Sequence, residues 1–309
     1  MDKNLLTKNG TAVVRLARRF LTMEEGQKIK PVGEYADQFG MGRGTIQAAL
    51  KYLEDSGAVV ISAKRHNGTF IDKIDYKKLW DLSDLKTVTG VMPLPYSRRY
   101  EGMATGLYKA FEKAGIPLSL AYMRGGYRRE EVLLDGKYDF AVMSLLAAET
   151  LKTARKNVEV VADFGEYSYV GGHKVLLSDS KLKTIESGMR VALDNSSVDQ
   201  LLLTKAECAG KDVTYVDLSY NQILENLQKH NIDAAVWNVD EITDRRLDTP
   251  FFDFQQEEAR RLEEKATVAA IVVVKSKKAI INVFKHLIDR DLILDIQKKV
   301  LSCELLPEY

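Results

Sequence analysis

At 309 residues the chain is too long for one small domain and suits two or three compact units. Its composition, 45% hydrophobic and 29% charged with a net charge of +1, excludes a low-complexity or strongly polyionic chain. Residues 1–75 hold 12 Lys/Arg against 9 Asp/Glu, a mild basic excess that the rest of the chain offsets.

Val13, Val14, Leu16, Ala17, Phe20 and Leu21 recur at helical spacing, with Arg15, Arg18 and Arg19 opposite, and predict a first helix ending before Gly26. A basic linker, Lys28-Ile29-Lys30-Pro31, leads into a second helix over Val32–Phe39. Pro31 suits its first turn, and Gly40 stops it as a residue able to adopt the left-handed conformation. A third helix from about Arg43 carries the stripe Ile46, Ala49, Leu50, Leu53 and closes at Gly57. Val59 and Ile61 then alternate into a strand, Arg65-His66-Asn67-Gly68 supplies an Asn-Gly turn, and Thr69, Phe70 and Ile71 return. Three helices, a tight turn between the second and third, and a hairpin describe a winged helix-turn-helix.

The polar residues of this segment fall where DNA contacts require them. Arg43, Thr45, Gln47 and Lys51 lie opposite the apolar stripe of the third helix. Arg and Gln read guanine and adenine edges bidentately, and Thr and Lys suit phosphates. Lys64, Arg65 and His66 make the hairpin tip cationic. The stretch from Glu34 to Gly57, with the wing Asn67-Gly68-Thr69-Phe70-Ile71, resembles the GntR-like winged-helix regulators. The resemblance implies DNA contacts by Arg43, Thr45 and Gln47 and places Gly68 at the wing tip. Three departures stand out: Lys30-Pro31-Val32-Gly33 precedes the second helix, Gln47 replaces a second arginine, and Gly42 and Gly44 flank Arg43. An interior helical glycine costs roughly 1 kcal/mol.

Residues 75–85 form a charged connector without glycine or proline, expected to pack rather than flex, and separate the 1–74 unit from a second region over 86–309. There strands at Thr87–Met92, Pro117–Tyr122 and Phe140–Ser144 alternate with helices at Tyr100–Ala114 and Arg129–Asp135. Strands at Lys174–Leu177, Arg190–Leu193, Val213–Val216 and Ala234–Trp237 follow, interleaved with helices at Ser197–Ala209 and Tyr220–His230. Alternation of this kind predicts a parallel α/β sheet. A late apolar strand, Thr267–Val274, and one long helix, Lys278–Leu301, finish the chain.

A helix end, a turn and an "Asp-x-Ala-Val" strand occur twice, at Leu134–Val142 and Leu227–Val236. Two αβ lobes with this repeat and a late return strand resemble the type 2 periplasmic-binding-protein fold. Over its whole length the chain resembles the YhfZ-type bacterial regulators. The expected fold is therefore α/β, a winged helix-turn-helix followed by a two-lobed domain that binds an effector.

In such a domain ligands sit beyond the carboxyl ends of strands, where helix N-termini present free N–H groups. That places Tyr96, Ser97 and Arg98 after the first strand, Arg124 and Gly125 after the second, and Ser144 after the third. From the other lobe come Asp194, Asn195, Ser196 and Ser197, with Asn238 and Asp240. Asn and Ser at these ends also serve simply as helix caps. Ionised Asp194 and Asp240 favour a zwitterion, or an anion bearing hydroxyls or an amine, over a purely anionic effector.

The longest apolar stretch, Ala266–Val274, is far short of the roughly eighteen residues a membrane span needs. Met1 to Asn4 open no signal-peptide core, and Cys208 and Cys303 are the only cysteines, without a CxxC, so a reducing cytoplasm is expected. No GxSxG, HExxH, P-loop or GxGxxG occurs, the four histidines have no metal-ligand spacing, and no cofactor or metal is expected. The sequence thus reads as a non-enzymatic regulator, a homodimer whose partners are a double-stranded DNA operator and a small polar effector, with no membrane association. The alternative is an enzyme, DNA-tethered or not, built on the same two-lobed fold.

Overall fold

The computed structural model describes residues 8–179, 181–244, 246 and 249–309, so Met1 to Asn4 lie outside the described residues. They divide into two compact units, 8–87 with Lys275–Ile288 and Val88–Val274 with Asp289–Tyr309. No helix among the described residues is long and apolar enough to cross a membrane.

The first unit holds α1 (Lys8–Phe20), α2 (Val32–Phe39), α3 (Arg43–Asp55), the hairpin β1 (Val59–Ala63) and β2 (Thr69–Ile74), and α4 (Tyr76–Leu82). Its core is built from the expected stripes: Leu16, Ala17 and Phe20 of α1 meet Ile46, Ala49, Leu50 and Leu53 of α3, and Phe20 sets its ring edge-on to Tyr35 at 6.3 Å. Gly40 adopts φ 65°, and its N–H closes α2 on Ala36 and Asp37. Pro31 stands at the N-cap of α2, one position earlier than expected. Gly42 caps α3, leaving only Gly44 inside the helix and only in its first turn, so the expected glycine cost is mostly absent. The wing tip is a one-turn 3₁₀ segment, Arg65–Asn67, rather than a two-residue Asn-Gly turn; Gly68, at φ 95°, re-enters the strand.

The boundary differs from the expected connector and single terminal helix. In α4, Tyr76, Leu79 and Trp80 are buried, so the segment belongs to the first unit. The terminal stretch breaks into α12 (Lys278–His286) and, after Asp289 accepts from the Leu292 N–H as an N-cap, α13 (Arg290–Leu301). In the first unit α12 stacks His286 on Tyr76 at 4.0 Å, and Asn282 donates to the Leu21 and Met23 carbonyls at 2.9 and 3.2 Å.

The second unit has two five-stranded sheets. Lobe I contains β3 (Val88–Met92), α5 (Arg98–Lys113), β4 (Leu118–Tyr122), α6 (Gly126–Leu134), β5 (Phe140–Ser144), α7 (Leu145–Arg155) and β6 (Val158–Asp163). Lobe II contains β7 (His173–Leu177), β8 (Arg190–Leu193), α8 (Val198–Glu207), β9 (Thr214–Asp217), α9 (Tyr220–Gln228), β10 (Ala234–Asn238), α10 (Val239–Asp244), β11 (Phe251–Phe252) and α11 (Glu257–Ala266). β12 (Ala269–Val274) and α13 return to lobe I, giving strand orders β4-β3-β5-β12-β6 and β11-β7-β10-β8-β9.

The sheets are mixed rather than parallel: β12 runs antiparallel to β5 and β6, and β7 antiparallel to β10 and β11. Each reversed strand enters its sheet from the other lobe, so the crossover that enforces parallel neighbours is absent there. The repeated Asp has one structural cause in both lobes. Asp139 accepts the Thr89 N–H at 2.8 Å, and Asp233 accepts the Arg190 N–H at 2.7 Å; each pins the strand after it to the start of a neighbouring strand.

Candidate functional site

In the first unit, α3 leaves Arg43, Gln47 and Lys51 exposed, with Thr45 half-buried at the edge of the same face. The Arg43 guanidinium lies over Gly33 of α2, where an added Cβ would come within 3.4 Å of it. Lys64, Arg65 and His66 are exposed at the wing, with the Lys64 ammonium over the Phe70 ring at 4.8 Å. Lys28 joins them: it bridges to Phe70 in β2, and its stem crosses Gly68, where a Cβ would meet its Cε at 2.5 Å. Sequence reading left Lys28 in a linker, although its position in Lys28-Ile29-Lys30 just ahead of α2 was a usable signal. Glycine at 68 is favoured by its φ, while a side chain there would displace only the flexible end of Lys28.

In the second unit the carboxyl ends of the strands face a cavity between the lobes, with an empty volume of about 610 Å³, part of it open to solvent. The structure brings Tyr96, Arg124, Gly125, Asp194, Ser196, Ser197 and Asn238 into its wall, as expected. Gly125, at φ 85°, starts α6 against Ser196 of the opposite lobe. Five other expected residues are turned to different uses. Ser97 is buried as the N-cap of α5, and Asn195 is exposed outside the wall. Arg98 points its guanidinium to the Val300 carbonyl and the Cys303 Sγ, both at 3.2 Å. Ser144 caps α7 and donates to Asp199 at 2.6 Å, behind the wall. Asp240 is held by Arg99 at 3.0 Å and by the Gly171 N–H.

The wall also contains residues that sequence reading passed over, among them Tyr100, Arg129, Tyr169, His173, Asp199, Tyr220 and Glu241. Arg129 carried a signal: it falls one turn before Leu133, a charge on the buried stripe of α6. Only 6% exposed, it donates to the Met123 carbonyl at 2.9 Å and the Tyr169 hydroxyl at 3.2 Å, while its Nε has no partner. His173, equally buried, receives no partner at Nδ1, and burial lowers its pKa to about 4, keeping the imidazole neutral. Burial pushes the Asp199 carboxyl up to about 6, against the Ser144 hydroxyl and the Arg129 charge, which both lower it.

These contacts correct the charge argument drawn from sequence. Asp194 already accepts from the Ser196 N–H and hydroxyl and the Tyr220 N–H, with Arg124 3.9 Å away. Asp240 is equally occupied, so neither acid is free to choose a ligand's charge. Among the described residues, no three His, Cys, Asp or Glu side chains group as a metal site.

Comparison with known proteins agrees with this architecture. Residues 24–71 match a helix-turn-helix domain, and residues 75–309 match the YhfZ C-terminal domain. The chain is 36% identical to the YhfZ protein of Escherichia coli K12 over 313 residues, covering 100% of both. The crystal structure of YhfZ from Shigella flexneri aligns at 35% identity with a TM-score of 0.64, covering 76% of this chain and 98% of that one. A TRAP periplasmic solute-binding protein from Pseudomonas aeruginosa, solved with L-malate, aligns at 11% identity and a TM-score of 0.49 over 70% of this chain and 86% of that one. A helix-turn-helix domain followed by the YhfZ C-terminal domain, here two-lobed, is thus common ground of sequence and structure, and the chain belongs to the YhfZ family.

Proposed function

We propose that the protein is a cytoplasmic transcriptional regulator that binds an operator as a homodimer, in the manner of GntR-like regulators, and senses a small polar metabolite in the interlobe cavity. One observation carries the reading: α3 buries Ile46, Ala49, Leu50 and Leu53 while exposing Arg43, Gln47 and Lys51 beside a cationic wing, in a chain whose remainder is a two-lobed α/β unit with a cavity between its lobes. Two such helices on an inverted repeat reach successive major grooves about one helical turn apart. The cavity acts as a receptor, so ligand binds saturably without turnover. Ligand shifts operator affinity only through unequal affinity for two arrangements of the dimer, and a coupling of about 1–3 kcal/mol suffices.

The test is selection of duplexes from a random library, followed by anisotropy titrations at two salt concentrations against a scrambled duplex. Selective binding that weakens with salt is expected. Arg43→Ala should cost about 1–3 kcal/mol and relax preference at one or two base pairs, since a bidentate base contact is lost. Operator affinity and selectivity unchanged in Arg43→Ala would remove α3 as the reading helix. A library that yields no selected sequence would remove the regulator reading.

A further inference from the structure

Two buried side chains in the cavity wall, one from each lobe, keep an unpartnered polar atom: Nε of Arg129 on α6 and Nδ1 of His173 on β7. Buried polar groups are nearly always satisfied, so orphans sharing one cavity mark where a ligand's polar atoms belong. Glu263 does not complete His173; its Oε1 lies 3.9 Å from Nδ1 and instead accepts the His173 backbone N–H.

The remaining charges indicate what kind of ligand. Arg124 stands beside Asp194, and Arg99 takes Asp240 outside the wall. Arg129 is then the buried cation of lobe I that faces the cavity with capacity to spare. Lobe II presents Glu241, hydrogen-bonded to the Tyr220 hydroxyl, and Asp199, which accepts from Ser144 and lies near enough to feel the Arg129 charge. Tyr220 stacks on Trp237 at 3.9 Å and sits 6.3 Å from Tyr96, so the acidic side is also aromatic. Aromatic faces and carboxylates together suit an ammonium group, and a guanidinium edge suits a carboxylate. A dianion such as phosphate would face Asp199 and Glu241 with one guanidinium to balance it, and a simple amine would leave Arg129 unpaired.

We propose that the cavity binds a zwitterionic amino carboxylate, its carboxylate on Arg129 of lobe I and its ammonium on the Glu241–Tyr220 side of lobe II, with His173 meeting a further polar atom. The proposal rests on reading the cavity as a receptor and names its ligand class. One molecule then satisfies groups of both lobes, which is what would hold them closed on it.

The experiment is calorimetric titration of the full chain with each L-α-amino acid, and for any that binds, with the matching 2-hydroxy acid and amino amide. At least one amino acid should bind saturably at concentrations of about 10 mM or below. Its hydroxy acid and amide should each bind at least about tenfold more weakly, because each loses one charge-assisted contact. Arg129→Gln should weaken carboxylate-bearing ligands by at least about tenfold, and Glu241→Gln the ammonium-bearing ones, with circular dichroism confirming that each variant is folded. The analogue comparison in the wild-type chain stands even if a variant does not fold. Absence of binding across the amino acids, or a hydroxy acid or phosphate bound as tightly as any amino acid, overturns the proposal. Operator binding is measured without ligand, so its loss and the loss of this proposal are separate results.

Discussion

Valine in place of Gly106 is expected to destabilise the two-lobed unit by about 3 kcal/mol or more. Gly102 and Gly106 are one turn apart on α5 and face Gln297 and Ile293 of α13. A Cβ at Gly106 would stand 2.7 Å from the Ile293 carbonyl oxygen and 3.0 Å from its Cα, and one at Gly102 3.0 Å from the Gln297 Cα. The obstacles are backbone, so no rotamer change relieves them, and α13 must move off α5. That movement would also stretch Gln297, whose amide donates to the Arg99 and Ser168 carbonyls at 3.0 and 2.8 Å. Replacing a helical glycine returns at most about 1 kcal/mol of propensity, less for valine, so the clash dominates. Gly44→Ala is the control: nothing lies within 4 Å of its Cβ, and its stability should change by no more than about 1 kcal/mol. Urea unfolding measures each in its own unit: Gly106→Val in a Trp80→Phe background, leaving Trp237 to report on the second unit, and Gly44→Ala in a Trp237→Phe background, leaving Trp80 to report on the first. An unchanged midpoint for Gly106→Val would mean that the two helices are not in close contact.

That pair of glycines shows how far sequence reading reaches. Periodicity located α2, α3, β5 and β8 nearly to the residue, because each carries a strong apolar pattern ended by glycine or a cap. The split of the terminal helix was harder to see: both halves are amphipathic, and the break at Leu287-Ile288 contains no glycine or proline, only the Asp289 cap. The strand directions were also hidden. Apolar runs such as Ala269–Val274 look alike in parallel and antiparallel positions, and what reverses β12 is its arrival from the other lobe.

The site was legible where it follows from topology. Residues at or just after strand ends, such as Arg124, Gly125, Asp194 and Asn238, reached the cavity because the fold puts the carboxyl ends of the parallel strands β3, β4, β8 and β10 there. Choosing between neighbours was not possible from sequence. Of Arg98 and Arg99, successive residues opening α5, the first turns to Val300 and the second crosses to Asp240. Tyr169 enters from the irregular segment between the lobes, and His173 from the first residue of β7 just after it, where too little regular chain precedes either to indicate a facing direction.

Asp199→Asn is expected to stabilise the protein at neutral pH by up to about 3 kcal/mol relative to wild type, with the gain vanishing near pH 4. Asp199 sits in the first turn of α8, where the helix N-terminus and the Ser144 hydroxyl both favour the ionised form. Arg129 from α6 adds its charge, yet burial outweighs all three and raises the carboxyl from its ordinary 3.8 to about 6. A carboxyl with a raised folded pKa contributes its stability at low pH and loses it as pH rises through the folded value, here between about 4 and 6. Asparagine keeps an acceptor for Ser144 and never ionises, so it escapes that loss. Two neighbours titrate nearby: Glu130, pushed by burial to about 7, and His173, lowered to about 4 and therefore acting in the opposite sense as pH falls. Both remain in the variant, and Glu130 will shift somewhat once the Asp199 charge is gone. The difference between the two proteins is thus the informative quantity, measured by urea unfolding from pH 4 to pH 8. A difference that stays flat across that range would show that Asp199 ionises in the folded protein as readily as in water, and burial would no longer explain its environment.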